Sequence, residues 1–176
     1  MASQKVYFIL VTVLVILVSV LYQKEHDGDI ELLNKAVVLQ AGRPTVFNFI
    51  SNMDKYSQWF PEVGKIEAYD PSPLDIGKQY KETGQFPAWG DIEYNLVITG
   101  FSPPEYFSFT SGSWMLLHIE MLLIYEKDDQ TRLEWKLLSN RRSYLFQYTM
   151  APIVRLFYEG RVRQALWNLK YTFRSR

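Results

Sequence analysis

Hydrophobic and polar positions divide the chain into three textures. The first is an unbroken apolar run from Val6 to Tyr22, V-Y-F-I-L-V-T-V-L-V-I-L-V-S-V-L-Y, relieved only by Thr12 and Ser19. As a helix this run reaches roughly 25 Å, just enough to cross a thin bilayer. Its anchoring side chains are Val6, Phe8, Leu10, Leu14, Leu17 and Leu21. The run exceeds a signal-peptide core and no A-x-A-like pair precedes a break, which favours a retained anchor over a cleaved leader. Lys5 before the run and Lys24 after it leave a small asymmetry, which tips the reading toward a single-pass anchor with its domain outside the cytoplasm. Gln23 to Asp29, Q-K-E-H-D-G-D, is polar. The expected organisation is an anchor over 1–22, a juxtamembrane linker over 23–33 and a folded domain over 34–176. Extended, a seven-residue linker spans at most about 25 Å, which keeps that domain at the membrane surface.

The second texture is period-two alternation. Ala36 to Gln40 reads as a first strand, which Gly42, Arg43 and Pro44 break. Pro44 suits the first turn of a helix, whose apolar face is Val46, Phe47, Phe49, Ile50 and Met53. A second short helix is predicted over Asp54 to Phe60, with Asp54 as its N-cap and Pro61 as its end. Six strands follow: Val63–Tyr69, Lys78–Thr83, Asp91–Phe101, Tyr106–Ser111, Trp114–Lys127 and Thr131–Ser139, separated by Gly, Pro and Asp-Asp turns. Arg132, Glu134 and Lys136 alternate with Leu133, Trp135 and Leu137, and Glu93 and Asn95 with Ile92, Tyr94 and Leu96. One wet and one covered face predict an antiparallel meander with a helix laid across it.

The third texture is that helix, over Tyr144 to Arg174. Met150, Val154, Phe157, Arg161, Ala165 and Leu169 form a stripe at helical spacing, widened by Ile153, Leu166 and Phe173. Arg155, Glu159, Arg163, Lys170 and Arg174 occupy the other side. Pro152 is expected to start the helix proper or to kink it.

Composition changes this picture in two ways. The net charge is +0, so nothing global points to a nucleic-acid partner, yet the residues after Asn140 are strongly basic against the single acid Glu159. A basic final helix suits lipid head groups or an acidic protein, and equally the dipole of its own helix. The chain has no cysteine, which excludes thiolate chemistry and Cys-based metal sites.

The order strand, two short helices, six strands, long helix carries sequence details that resemble a known group. They are A-G-R-P-T-V-F-N-F-I-S-N-M-D-K-Y-S-Q-W-F-P at 41–61, D-I-G-K-Q-Y at 75–80, T-R-L-E-W at 131–135 and A-L-W-N-L-K at 165–170. Over roughly 34–174 the chain resembles the START/Bet v 1-like helix-grip superfamily (SRPBCC), which includes polyketide cyclase/dehydrase and lipid-transport proteins. The resemblance implies an α+β helix-grip fold: a curved antiparallel β-sheet wrapped around a long C-terminal helix, with two short helices after the first strand, here preceded by one transmembrane helix. It also implies an elongated apolar cavity between sheet and helix that takes a hydrophobic small molecule or lipid, with no cofactor.

Candidate chemistry is sparse. His26 lies in the linker, and His118 alternates in phase with Glu120 on the longest strand. The pair sits either on the wet face of the sheet or, as an acid/base pair, at a cavity mouth. H-x-E offers too few ligands for a metal, and no nucleophile elbow, phosphate loop or dinucleotide fingerprint is present. Aromatic residues are 16% of the chain, and rings line most apolar ligand sites as well as ordinary cores. The cavity candidates are Trp59, Phe86, Trp89, Tyr94, Phe107, Phe109, Met121, Trp135 and Phe157. The loop Q-F-P-A-W-G at 85–90 is either a lid that dips into the interface or a loop folded onto its own domain. Three functions compete: membrane-anchored binding or transfer of an apolar ligand, a membrane-tethered cyclase/dehydrase-like enzyme with His118, Glu120 or a buried Tyr as acid/base, and a scaffold that uses Arg155, Arg161 and Arg163. If function survives His118→Ala and Glu120→Ala but is abolished by filling the cavity, for example by Ala165→Trp, the enzyme reading fails.

Overall fold

The apolar run forms α1 (Ala2–Gln23), the one helix among the described residues long and apolar enough to cross a membrane. The computed structural model describes residues 2–86, 90–113, 115–125 and 129–174. After α1 the chain enters β1 (Ile30–Leu39) earlier than expected. Residues 30–33, read as linker, belong to the strand, because Ile30, Leu32 and Leu33 are buried. A register shift between Glu31 and Leu33 allows both neighbouring leucines to turn inward.

Residues 24–29 are not a loose tether either. The Tyr144 N–H donates to the Lys24 carbonyl at 3.0 Å and the His26 N–H to the Arg142 carbonyl at 2.8 Å. Arg142 also holds Asp29 Oδ1 at 2.8 Å. The exit of α1 is therefore fastened to the segment that opens the final helix.

Pro44 opens α2 (Arg43–Ile50), which buries Val46, Phe47 and Ile50. A 3-10 turn, Met53–Lys55, follows and is capped by Asn52, whose side chain accepts from the Asp54 N–H at 3.0 Å. Asn52 thus takes the capping role expected of Asp54, and α3 shortens to Tyr56–Trp59. The strands are β2 (Val63–Ala68), β3 (Gln79–Phe86), β4 (Gly90–Ser102), β5 (Tyr106–Ser111), β6 (Leu117–Tyr125) and β7 (Thr131–Ser139). β3 runs past the break expected at Gly84, which pairs with Ile92 of β4. The expected strand ends at Trp114 and Lys127 lie outside the described residues.

All pairings are antiparallel, in the order β1-β7-β6-β5-β4-β3-β2. β2 to β7 form a meander, and β1 joins it beside β7. Alternation then settles the two faces. Leu117, Ile119, Met121 and Leu123 of β6 and Leu133, Trp135 and Leu137 of β7 are buried, whereas Arg132, Leu122 and Ile124 are exposed. The inner face receives α4 (Tyr144–Thr172), capped by Ser143, whose Oγ accepts from the Phe146 N–H. Pro152 lies inside this helix and does not start it. Val154, Val162, Ala165, Leu166 and Leu169 are buried against the sheet, while Arg155, Glu159, Arg163, Lys170 and Arg174 are exposed. The result is an α+β helix-grip fold, a seven-stranded antiparallel sheet closed over its last helix.

Candidate functional site: a cavity between sheet and final helix

Between the inner face of the sheet and the first half of α4 lies a cavity of about 690 Å³. The sheet supplies Ile92, Tyr94 and Leu96 from β4, Phe109 and Ser111 from β5, Leu117 and Ile119 from β6, and Trp135 and Leu137 from β7. The helix supplies Met150, Ile153, Val154, Phe157, Tyr158 and Arg161, and Tyr56 and Phe60 close one end. These wall positions share one parity on each strand, so period-two patterning builds the cavity directly. At its helical rim, Ile153 is 58% exposed and Phe157 47% exposed, and Leu156 beside them is 79% exposed.

Among the residues expected at the wall, Tyr94, Phe109, Trp135 and Phe157 are there. Trp59, Phe107 and Met121 are buried in solid core and do not reach it. Trp59 and Phe60 meet edge to face at 5.8 Å, and Phe107 packs at 6.5 Å from Phe47 on α2. The short helices bury these rings away from the opening. Residues 87–89, Trp89 among them, and the Phe86 side chain lie outside the described residues, so the lid reading of the 85–90 loop does too. Ala165 is also core, 1% exposed and outside the cavity wall. A tryptophan there would overpack the α4–sheet contact and would not plug the space.

His118 and Glu120 do not reach the cavity. Their strand neighbours Leu117 and Ile119 face it, so parity turns both to the outer face. There His118 Nε2 lies 3.2 Å from Thr99 Oγ1, and the Tyr106 hydroxyl donates to Glu120 Oε1 at 3.2 Å. Thr99 also bonds Ser108 at 3.0 Å, which completes an outer-face polar ladder. The reading of this pair as an acid/base couple at the cavity mouth is therefore corrected.

The polar groups that do face the cavity are others. Glu82 on β3 stands directly opposite Tyr94 of β4 and on the wall. Burial pushes its carboxyl from 4.5 up to about 7, because a low-dielectric site disfavours the charged form. Tyr56, Tyr94 and Tyr158 all have raised pKa values, through burial first and then through the charge of Glu82. Among the described residues none of these four side chains has a hydrogen-bond partner. Arg161 pairs with Glu62 and stacks over Phe157, 3.9 Å from the ring centre; burial lowers its pKa. Trp135 Nε1 and Ser113 Oγ, on wall residues, are buried without a partner among the described residues.

Glu82 and Tyr158 were absent from the expected site. The signal was available in K-Q-Y-K-E-T-G, where Glu82 shares the inward parity of Tyr80 while Lys81 and Thr83 alternate outward. An acid at an inward position marks a site. Among the described residues there is no group of His, Asp and Glu able to hold a metal.

No family model matches the sequence, and a search of the curated proteins finds no match. The fold does have counterparts among solved structures. A START superfamily protein from Mycobacterium smegmatis superposes with a TM-score of 0.65 at 12% identity, over 83% of this chain and 97% of that one. The di-domain ARO/CYC protein StfQ of the steffimycin biosynthetic pathway gives a TM-score of 0.64 at 9% identity, over 82% of this chain and half of its own. XoxI from Bacillus cereus gives 0.60 at 10% identity, over 80% of this chain and 94% of that chain. The fold is START-like, in agreement with the resemblance read from the sequence.

Proposed function

We propose that this chain is a membrane-anchored binding protein that holds a hydrophobic small molecule or lipid in the sheet–helix cavity and exchanges it with the bilayer entered by α1. The observation that carries this reading is the cavity itself. Its volume and its apolar, aromatic wall match the general properties of small-molecule sites. The half-exposed Ile153 and Phe157, with Leu156 beside them, give the rim an apolar surface suited to a membrane interface. The START-like fold supports the same reading.

The basic face offers less to a scaffold. Arg155 donates to the Glu31 carbonyl at 2.8 Å and Arg161 pairs with Glu62, so two of its expected contact residues are engaged within the fold. The enzyme reading no longer has His118 and Glu120 at the cavity and keeps only its buried-tyrosine alternative, Tyr56 or Tyr158.

Native mass spectrometry with lipid extraction on the full chain, released from detergent micelles, tests the proposal. The expected result is one apolar molecule per chain, lost in Ser111→Trp, which plugs the wall from β5. A chain that carries no such molecule and takes up neither fluorescent lipid nor quinone overturns the reading.

A further inference from the structure

Glu82 lies on the wall of a largely apolar space. Hydroxyls approach it from three other elements, Tyr56 from α3, Tyr94 from β4 and Tyr158 from α4. Each perturbs or is perturbed by the Glu82 charge, and among the described residues none has a hydrogen-bond partner. The wall atoms enclosed without a partner among the described residues are Trp135 Nε1 and Ser113 Oγ. These four side chains instead open on the cavity, so a ligand that fills it must replace the hydrogen bonds they would otherwise make to water. Elsewhere the outer face of this sheet satisfies its polar side chains with one another, as Thr99, Ser108, Tyr106 and Glu120 show. The contrast singles out the cavity cluster.

We infer that Glu82, with the hydroxyls of Tyr56, Tyr94 and Tyr158, recognises a neutral oxygen function, a hydroxyl or carbonyl, on the apolar ligand, and that the site rejects anionic head groups. The inference rests on the cavity-binding reading above and deepens it. A protonated carboxyl both donates and accepts, so it completes a hydroxyl or a carbonyl equally well. A ligand carboxylate or phosphate would instead set a second negative charge beside Glu82 in a medium of low dielectric. The cation on the described wall, Arg161, is paired with Glu62 and covers Phe157, so its charge is already engaged.

The titratable groups that share the cavity wall with Glu82 are Tyr56 on α3, Tyr94 on β4, Tyr158 and Arg161 on α4, and Glu62 ahead of β2. Tyr80, on the same strand, couples to Asp54 and Asp70 instead, and β2 places the apolar Ile66 opposite Glu82. The tyrosines are all raised above their ordinary value of 10.0 and stay neutral near pH 7. Glu82, at about 7, titrates there. A ligand that closes the site removes the remaining water from Glu82 and raises it further, so affinity for a neutral ligand falls as pH rises through that value.

The test uses the full chain in lipid nanodiscs with two probes of one skeleton, retinol and retinoic acid. Binding is read by energy transfer from tryptophan, with empty discs subtracted. At pH 8, retinol is expected to bind at least about tenfold more tightly than the retinoate anion. Its affinity should weaken severalfold between pH 6 and pH 8.5. In Glu82→Gln, which keeps the shape without the charge, retinol binding should become flat with pH and the gap to retinoate should narrow. Tyr158→Phe should weaken retinol binding without restoring retinoate. Saturable binding of both probes with equal affinity, or the same pH profile in Glu82→Gln as in the unaltered chain, overturns this inference and leaves the cavity reading standing. If neither probe binds above empty discs, both readings fall.

Discussion

Replacing Glu82 by Gln should stabilise the ligand-free protein at neutral and alkaline pH and leave it unchanged in acid. The size follows from the carboxyl's environment. Its ordinary value of 4.5 is lifted to about 7 by burial. At about 1.36 kcal/mol per pH unit, ionising it in the native state costs roughly 3 kcal/mol. Below pH 4.5 the group is protonated in both folded and unfolded chains, so it sets no difference between them. Between 4.5 and 7 the unfolded chain releases its proton while the native chain keeps it, and native stability declines. Above 7 both forms are ionised and the full cost remains. The Gln variant escapes this decline, so its advantage should grow from about zero at pH 4 to about 3 kcal/mol at pH 8. For a chain of this length that corresponds to roughly 6 to 12 °C in melting temperature. Urea titrations of both proteins in the same detergent, followed by tryptophan emission at half-unit pH steps, measure the difference directly. If the two stability curves run parallel from pH 4.5 to 7, Glu82 is not a buried unpaired acid and the account of the cavity's polar wall is refuted.

Other substitutions probe the rest of the frame. Lys78, whose side chain is 4% exposed, donates to the Asp70 carbonyl at 2.6 Å and to Asp70 Oδ1 and Ser72 Oγ at 3.1 Å. Lys78→Met should cost about 1 kcal/mol by releasing the turn it ties, the exposed Asp70 and Ser72 acceptors passing to water, and should speed proteolysis within 70–78. At Gly100 a Cβ would come 2.5 Å from Ser108 Oγ and closer still to the Tyr106 ring, so Gly100→Ala should lower the melting temperature measurably by displacing that ring. His118→Ala and Glu120→Gln, on the outer face, should leave ligand uptake in the mass-spectrometric assay unchanged. Ala165→Trp should yield a poorly folded chain by circular dichroism, in contrast to Ser111→Trp, which should fold and fail to bind.

Much of the fold was legible because one face of each strand must be covered. The alternation in 131–139 and 91–101 predicted which side chains turn inward, and the stripe from Met150 to Leu169 predicted the helix that covers them. Ile30 to Leu33 was less legible, since four residues beside a polar stretch show no period, and only the pairing with β7 makes them strand. Asn52 took the cap from Asp54 because a 3-10 turn intervened, which local chemistry does not announce. In the site, rings were a poor guide. Trp59 and Trp135 look alike in the sequence, and only the placement of α3 buries one in solid core and sets the other at the cavity. Glu82 was the clearer signal, since charge at an inward position needs a reason whereas an inward ring does not.

The fastening of residues 24–29 to the opening of α4 has a consequence for how such a protein would meet its ligand. A free linker of eleven residues would let the domain wander with a root-mean-square reach of roughly 20 Å. Backbone bonds from Lys24 and His26 to Tyr144 and Arg142 remove that wandering. From Tyr144 to Phe157 the helix advances about 20 Å, so the rim stays within that distance of the end of α1. With α1 in a bilayer, the mouth is held at nearly fixed height, and encounter becomes a lateral, two-dimensional search within one leaflet. A molecule dissolved in that leaflet is always close at hand. Delivery to a second membrane would require the two surfaces to be brought together, because this chain cannot cast its domain across the gap.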